Sequence, residues 1–89
     1  MCRNIRSLFN FEPAATDEEV QASALQYVRK VSGYTKPSQA NQLAFDRAVA
    51  EVSGVTARLL GSLVTTAMPR DREVEAARAR ERSRLRFGT

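Results

Sequence analysis

Five arginines, Arg78, Arg80, Arg82, Arg84 and Arg86, occupy every second position near the end of the chain. A guanidinium keeps its charge at physiological pH and forks onto two oxygens of a phosphate or carboxylate, so such a run suits binding of a polyanion and not proton transfer. If the segment is helical, spacing by two places Arg78, Arg82 and Arg86 on one row and Arg80 and Arg84 on another. Glu81 is the one acid among residues 77–89. Arg3 and Arg6 add positive charge near the start, and the middle of the chain is close to neutral. The net charge of +4 therefore collects at the two ends, where an anionic partner would meet it. Basic ends also serve solubility alone, and charge by itself does not separate the two readings.

A second place for an anion is the stretch Tyr34-Thr35-Lys36-Pro37-Ser38. Ser38 reads as the N-cap of a long helix, and Gln39, Ala40 and Asn41 would offer unpaired backbone N–H groups beside Lys36. A helix start with a hydroxyl and a lysine can hold phosphate. The pattern Val28-x-x-Val31-x-Gly33-Tyr34-Thr35, followed by Ala40, is also similar to a helix-hairpin-helix DNA module. It departs from that module in having Thr35 for the second glycine and its alanine one residue late. A capped turn between two helices accounts for the same residues more simply.

Other chemistry is limited by what is missing. The chain has no histidine, and Cys2 is its single cysteine. A monomer therefore cannot build a Cys/His zinc site, a Ser-His-Asp triad, a Cys-His dyad or an internal disulfide. Removal of the initiator Met would leave Cys2 with its thiol and α-amine adjacent, able to chelate or to react. With no second soft ligand, an ordinary unpaired thiol is the simpler reading. No metal, cofactor or catalytic residue is expected, and an enzyme is disfavoured.

The elements that must position these groups are helical. Thr16-Asp17-Glu18-Glu19 is a capping box, with acids where the helix dipole favours them. Val20, Ala24, Tyr27, Val28 and Val31 then form one face, and Gly33 suits the C′ position, so a helix is expected over 16–32. The central helix is expected over 38–65, with Phe45, Ala48, Val49, Val52, Val55, Leu59, Leu60 and Leu63 as its apolar stripe. On its back Ala50, Gly54, Ala57 and Gly61 fall in a narrow band. Two glycines inside a helix cost about 1 kcal/mol each against alanine. Close approach of a second helix would account for them, either the C-terminal segment or another copy of the chain. A break at Ser53-Gly54 is the alternative, and the unbroken phase of the stripe favours continuity.

Ala67-Met68-Pro69 stops that helix, and acids followed by arginines predict a third over 70–86. Its sizeable apolar groups are Val74, Leu85 and Phe87. It is expected to dock weakly through Val74 and Leu85, or to order on a partner. The opening residues 1–13 read as an arm with a short helical turn between Asn4 and Asn10, packed on the bundle and ended by Pro13.

Eighty-nine residues allow one small domain, 43% hydrophobic and 27% charged, which suits a globular fold. No apolar run is long enough to cross a membrane, and no secretory signal is read, so the cytoplasm is the expected compartment. The chain resembles, end to end, a family of short bacterial proteins catalogued as domain of unknown function 2277. The stretches that carry the resemblance are Met1-Cys2-Arg3-Asn4-Ile5-Arg6, Leu8-Phe9-Asn10-Phe11-Glu12-Pro13, Val31-Ser32-Gly33-Tyr34-Thr35-Lys36-Pro37-Ser38 and Pro69-Arg70-Asp71-Arg72-Glu73. The resemblance implies no activity and no residue role. The expected fold is all-α: a helical hairpin or three-helix domain with an N-terminal arm and an Arg-rich last helix. The expected function is a non-enzymatic module binding nucleic acid or a ribonucleoprotein surface. Its contacts would be Arg78, Arg80, Arg82, Arg84 and Arg86, aided by Arg3, Arg6, Lys36 and Ser38. The alternative is a protein-interaction or self-assembling helical module that uses the Ala50-Gly54-Ala57-Gly61 seam.

Overall fold

Thr16 sets the first helix, α1 (Asp17–Ser32). Its hydroxyl accepts from the Glu19 N–H at 3.2 Å, while the Glu19 carboxylate accepts from the Thr16 N–H at 3.0 Å. Two orphan donors of the first turn are thus satisfied at once. Spacing by four then puts Val20, Ala24 and Val28 in a line, and all three are buried. The helix closes at Gly33, whose φ of 80° lies in the left-handed region and whose N–H reaches the Arg29 carbonyl at 2.9 Å.

The computed structural model describes residues 5–87. Cys2, Arg3 and the proposed cap Asn4 lie outside the described residues. The fold is all-α: α1 packs against a longer α2 (Gln42–Ser62), and a third helix, α3 (Arg72–Phe87), follows. Phe45 is the α2 side chain that seals the α1 line, being buried with Val20, Ala24 and Val28.

The central helix is shorter than its expected span of 38–65. At its start Gln39–Asn41 form a single 3₁₀ turn, with the Asn41 N–H on the Ser38 carbonyl at 3.0 Å. The tighter bond satisfies a first-turn donor that α geometry would leave open. At its end Leu63 is already extended, and the β-branched run Val64-Thr65-Thr66 continues outside the helix. Between these limits α2 runs through Ser53-Gly54 unbroken.

Hydrophobic periodicity overstates the core. Tyr27 and Val31 of α1, and Val55, Leu59 and Leu63 of α2, are exposed, while Ala48, Val49, Val52 and Leu60 are half-buried. Two helices bury only the strip between them, so the margins of each stripe face outward. The Ser53 hydroxyl is enclosed in that strip with no hydrogen-bond partner among the described residues.

The arm has no helical turn between residues 5 and 10. Asn10 takes a φ of 63°, which ends any helix and which Asn tolerates better than most residues. Its amide donates to the Met68 carbonyl at 3.2 Å, and its own carbonyl accepts from the Arg70 N–H at 2.8 Å. Two very short strands, β1 (Phe11–Glu12) and β2 (Arg70–Asp71), then pair in parallel, Phe11 with Arg70 and Glu12 with Asp71. The chain that leaves α2 has backbone donors and acceptors to satisfy, and the extended arm supplies them.

Candidate nucleic-acid interface

The arginine run sits on a helix with good ends and little else. Asp71 caps α3 by accepting from the Val74 N–H at 3.0 Å. Glu73 and Glu75 occupy the first turn and Arg84 and Arg86 the last, matching the dipole. From Ala76 to Arg86 every residue is exposed. Val74 and Leu85 are exposed too, at 45% and 67%, so neither docks the helix on the hairpin.

The arginines divide into two groups. Arg78 is paired with Glu75 at 3.3 Å, one turn away. Arg84 donates its Nε to Glu81 at 3.1 Å, and that fork holds the Glu81 carboxyl below the usual carboxylate range. Arg80, Arg82 and Arg86 have no carboxylate within reach among the described residues. Their donors face solvent, on two sides of the helix. These three are the strongest candidates for phosphate contact, with Arg78 and Arg84 available after a change of partner.

At the base of α3 lies a cluster that local patterns in the sequence do not announce. Arg72 forks onto Glu19 with nitrogen–oxygen distances of 2.8 and 2.9 Å, and its Nε donates to the Pro13 carbonyl at 2.6 Å. One planar cation thus ties together α1, the arm and α3. Arg6 approaches the same carboxylate at 3.4 Å. The Phe11 ring is faced by Arg70 at 4.7 Å and by Arg72 at 5.7 Å, in cation–π geometry. Arg70 also reaches the Ser7 hydroxyl at 3.3 Å.

The Arg72 fork and the Thr16 N–H hold the Glu19 pKa down to about 2. A carboxylate so stabilised stays ionised and makes a poor general base. The clasp borders an open cleft of 340 Å³ between Arg6, Leu8 and Phe11 on one side and Ala76 and Ala79 of α3 on the other. Among the described residues no group of three or more Cys, Asp or Glu side chains could hold a metal ion.

The other sequence candidates lie apart from this end. Lys36 and Ser38 belong to the α1–α2 connection, whereas α3 departs from the opposite end of the hairpin, across the 21 residues of α2 (about 31 Å of helix). The Ser38 hydroxyl accepts from the Asn41 amide at 2.9 Å, and Ser38 precedes a 3₁₀ turn, not the first turn of α2. The structure therefore does not bring Lys36 and Ser38 together with the arginines. Along the seam, Ala50, Ala57 and Gly61 are exposed and Gly54 is half-buried, and Gly61 lines an open cleft beside Leu8, Asn10 and Phe11 of the arm. A Cβ added at Gly54 would meet only the Arg58 side chain at 3.5 Å, and one at Gly61 would meet nothing within 4 Å. Among the described residues no second helix, α3 included, comes within 4 Å of a Cβ at either glycine.

Two stretches that carry the family resemblance, 8–13 and 69–73, are the ones joined by β1, β2 and the Arg72 clasp. The family described as "Uncharacterized conserved protein (DUF2277)" matches residues 1–78, and the chain belongs to it. No curated protein and no solved structure matches the chain.

Proposed function

We propose that this member of the DUF2277 family is a non-enzymatic binding module that grips the phosphates of a nucleic acid, free or on a ribonucleoprotein surface, through α3. The observation that supports this most is the exposure of α3 together with the absence, among the described residues, of any carboxylate paired with Arg80, Arg82 or Arg86. A helix of 16 residues is about 24 Å long. Held only at its base, it is free to lie along a groove or a backbone without displacing any part of the hairpin. Arg6, exposed at the same end, extends the basic surface. Arginine forks suit phosphate oxygens, and no base-reading side chain is required for such contact.

The test is the salt dependence of binding. If three to five phosphates are engaged, log K against log salt has a slope of roughly −3 to −4.5 on duplex DNA. Replacing Arg80, Arg82 and Arg86 together by Gln should flatten that slope by about 2 to 3, to the same extent on unrelated sequences. The helix should persist, because Gln is a fair helix former and none of the three arginines holds an acid among the described residues. Fluorescence anisotropy with labelled DNA and RNA at three salt concentrations reads this out. No binding to either at low salt refutes the proposal. A second reading, a protein-interaction module without nucleic-acid binding, is supported by the apolar side chains that the hairpin leaves in solvent.

A further inference from the structure

The hairpin is one layer of helices, with principal extents of 44 × 37 × 16 Å for the chain. Stable domains are built from two or more packed layers. The consequence appears in the surface. The chain exposes 7188 Å² at a mass of 9.9 kDa, where a compact monomer of that mass exposes about 5,200 Å². Part of the surplus of about 2,000 Å² is α3 standing clear. Apolar side chains exposed on α1 and α2 contribute another part. Tyr27 is 50% exposed, Val31 70%, Val55 57% and Leu59 54%, and half-buried Val52 continues the strip between them. Tyr27, Val52 and Val55 together line a shallow cleft of 320 Å³.

We propose that the chain forms a two-fold dimer through this face, with Tyr27, Val31, Val52, Val55 and Leu59 of each copy supplying the second layer of the other's core. Three observations select a second copy as the occupant. First, the area leaves room for it: the whole-chain surplus, to which this face contributes with α3, exceeds the roughly 800 Å² that a standard dimer contact removes from each partner. Second, an isologous contact sets an apolar strip against its own image, so complementarity is built in. Two such hairpins make a four-helix arrangement, the usual way for helical pairs to close a core. Third, charge leaves this route open and opposes the others. The strip is bordered by residues of both signs, such as Glu51 and Lys30, whereas α3 would set arginine rows against each other. The proposal does not depend on nucleic-acid binding and places self-association on the face opposite the glycine seam.

Sedimentation equilibrium of the whole chain between about 1 and 100 µM decides it, a range that brackets micromolar dimers. The expected result is a mass twice that of the chain, with a thermal midpoint that rises with protein concentration because folding and association are linked. Val55→Lys combined with Leu59→Glu should raise the dissociation constant by about 30-fold or more. If that variant loses helicity, the concentration dependence of the parent's midpoint still reports the linkage. Gly54→Leu, on the other side of α2, should leave the dimer intact. A parent chain that is monomeric at 100 µM with a concentration-independent midpoint overturns the proposal and leaves the face to a different protein. A dimer broken by Gly54→Leu but not by the Val55/Leu59 variant also overturns it, by moving the contact to the seam.

Discussion

Replacing Glu19 by Gln isolates the clasp that holds α3 to the hairpin. Gln keeps one acceptor oxygen, so the reciprocal cap with Thr16 can persist, while the fork from Arg72 loses its charge and half its symmetry. The carboxyl is held at about 2 against an ordinary 4.5. That difference is at most about 3.4 kcal/mol, and solvent screening around a partly exposed pair reduces it to roughly 1–2 kcal/mol. For a chain of this size the thermal midpoint should fall by about 5–15 °C at pH 7. The pH dependence gives the sharper test. A carboxylate with a lowered folded-state pKa contributes its full stability above its unfolded pKa, and that contribution disappears as pH falls through the folded one. Parent and Glu19→Gln should therefore differ most above pH 4.5 and converge toward pH 2. Urea denaturation followed by circular dichroism at fixed protein concentration, at four pH values between 7 and 2, measures the gap. Arg72→Lys should cost a similar amount at pH 7, and the double variant less than the sum, because a lysine cannot fork onto Glu19 while bonding the Pro13 carbonyl. Equal stability at pH 7, or a gap undiminished at low pH, would refute the role given to the carboxylate.

Two further substitutions probe α2. Ser53→Ala removes a buried hydroxyl that has no partner among the described residues and should stabilise the chain by about 1 kcal/mol, seen as a shift of the urea midpoint at constant slope; a destabilised variant would mean the hydroxyl is satisfied. Gly54→Ala adds a methyl that meets only the flexible Arg58 side chain and should also stabilise, by up to about 1 kcal/mol. A loss of stability there would require a neighbour on the seam.

What the sequence made legible was local. The cap at Thr16 and Glu19, the stop at Gly33 and the acid-to-base gradient of α3 each depend on residues within a turn of one another, and they locate α1 and α3 to within two residues. Stripe length was less reliable as a guide to burial. The α2 periodicity reaches Leu63, but a single partner helix covers only the side that faces it, from Phe45 to Leu60, and leaves the margins exposed. Of the two neighbours that the seam glycines allowed, α3 does not lie against them, since small residues fit a close contact without requiring one.

The clasp was illegible because none of its signals is local. Glu19 reads fully as a capping residue and Arg72 as one more arginine before a basic helix. Their pairing spans 53 positions and depends on where β1 delivers the arm. The hint present in the sequence was that 8–13 and 69–73 both carry the family resemblance while offering neither an apolar stripe nor a catalytic set. A short isolated helix rich in arginine is marginal in water, so α3 needs support where it joins the body. Asp71 supplies the cap and Arg72 the anchor, at consecutive positions. The body carries the helix by its first turn and leaves the remaining turns, with Arg80, Arg82 and Arg86, exposed to solvent.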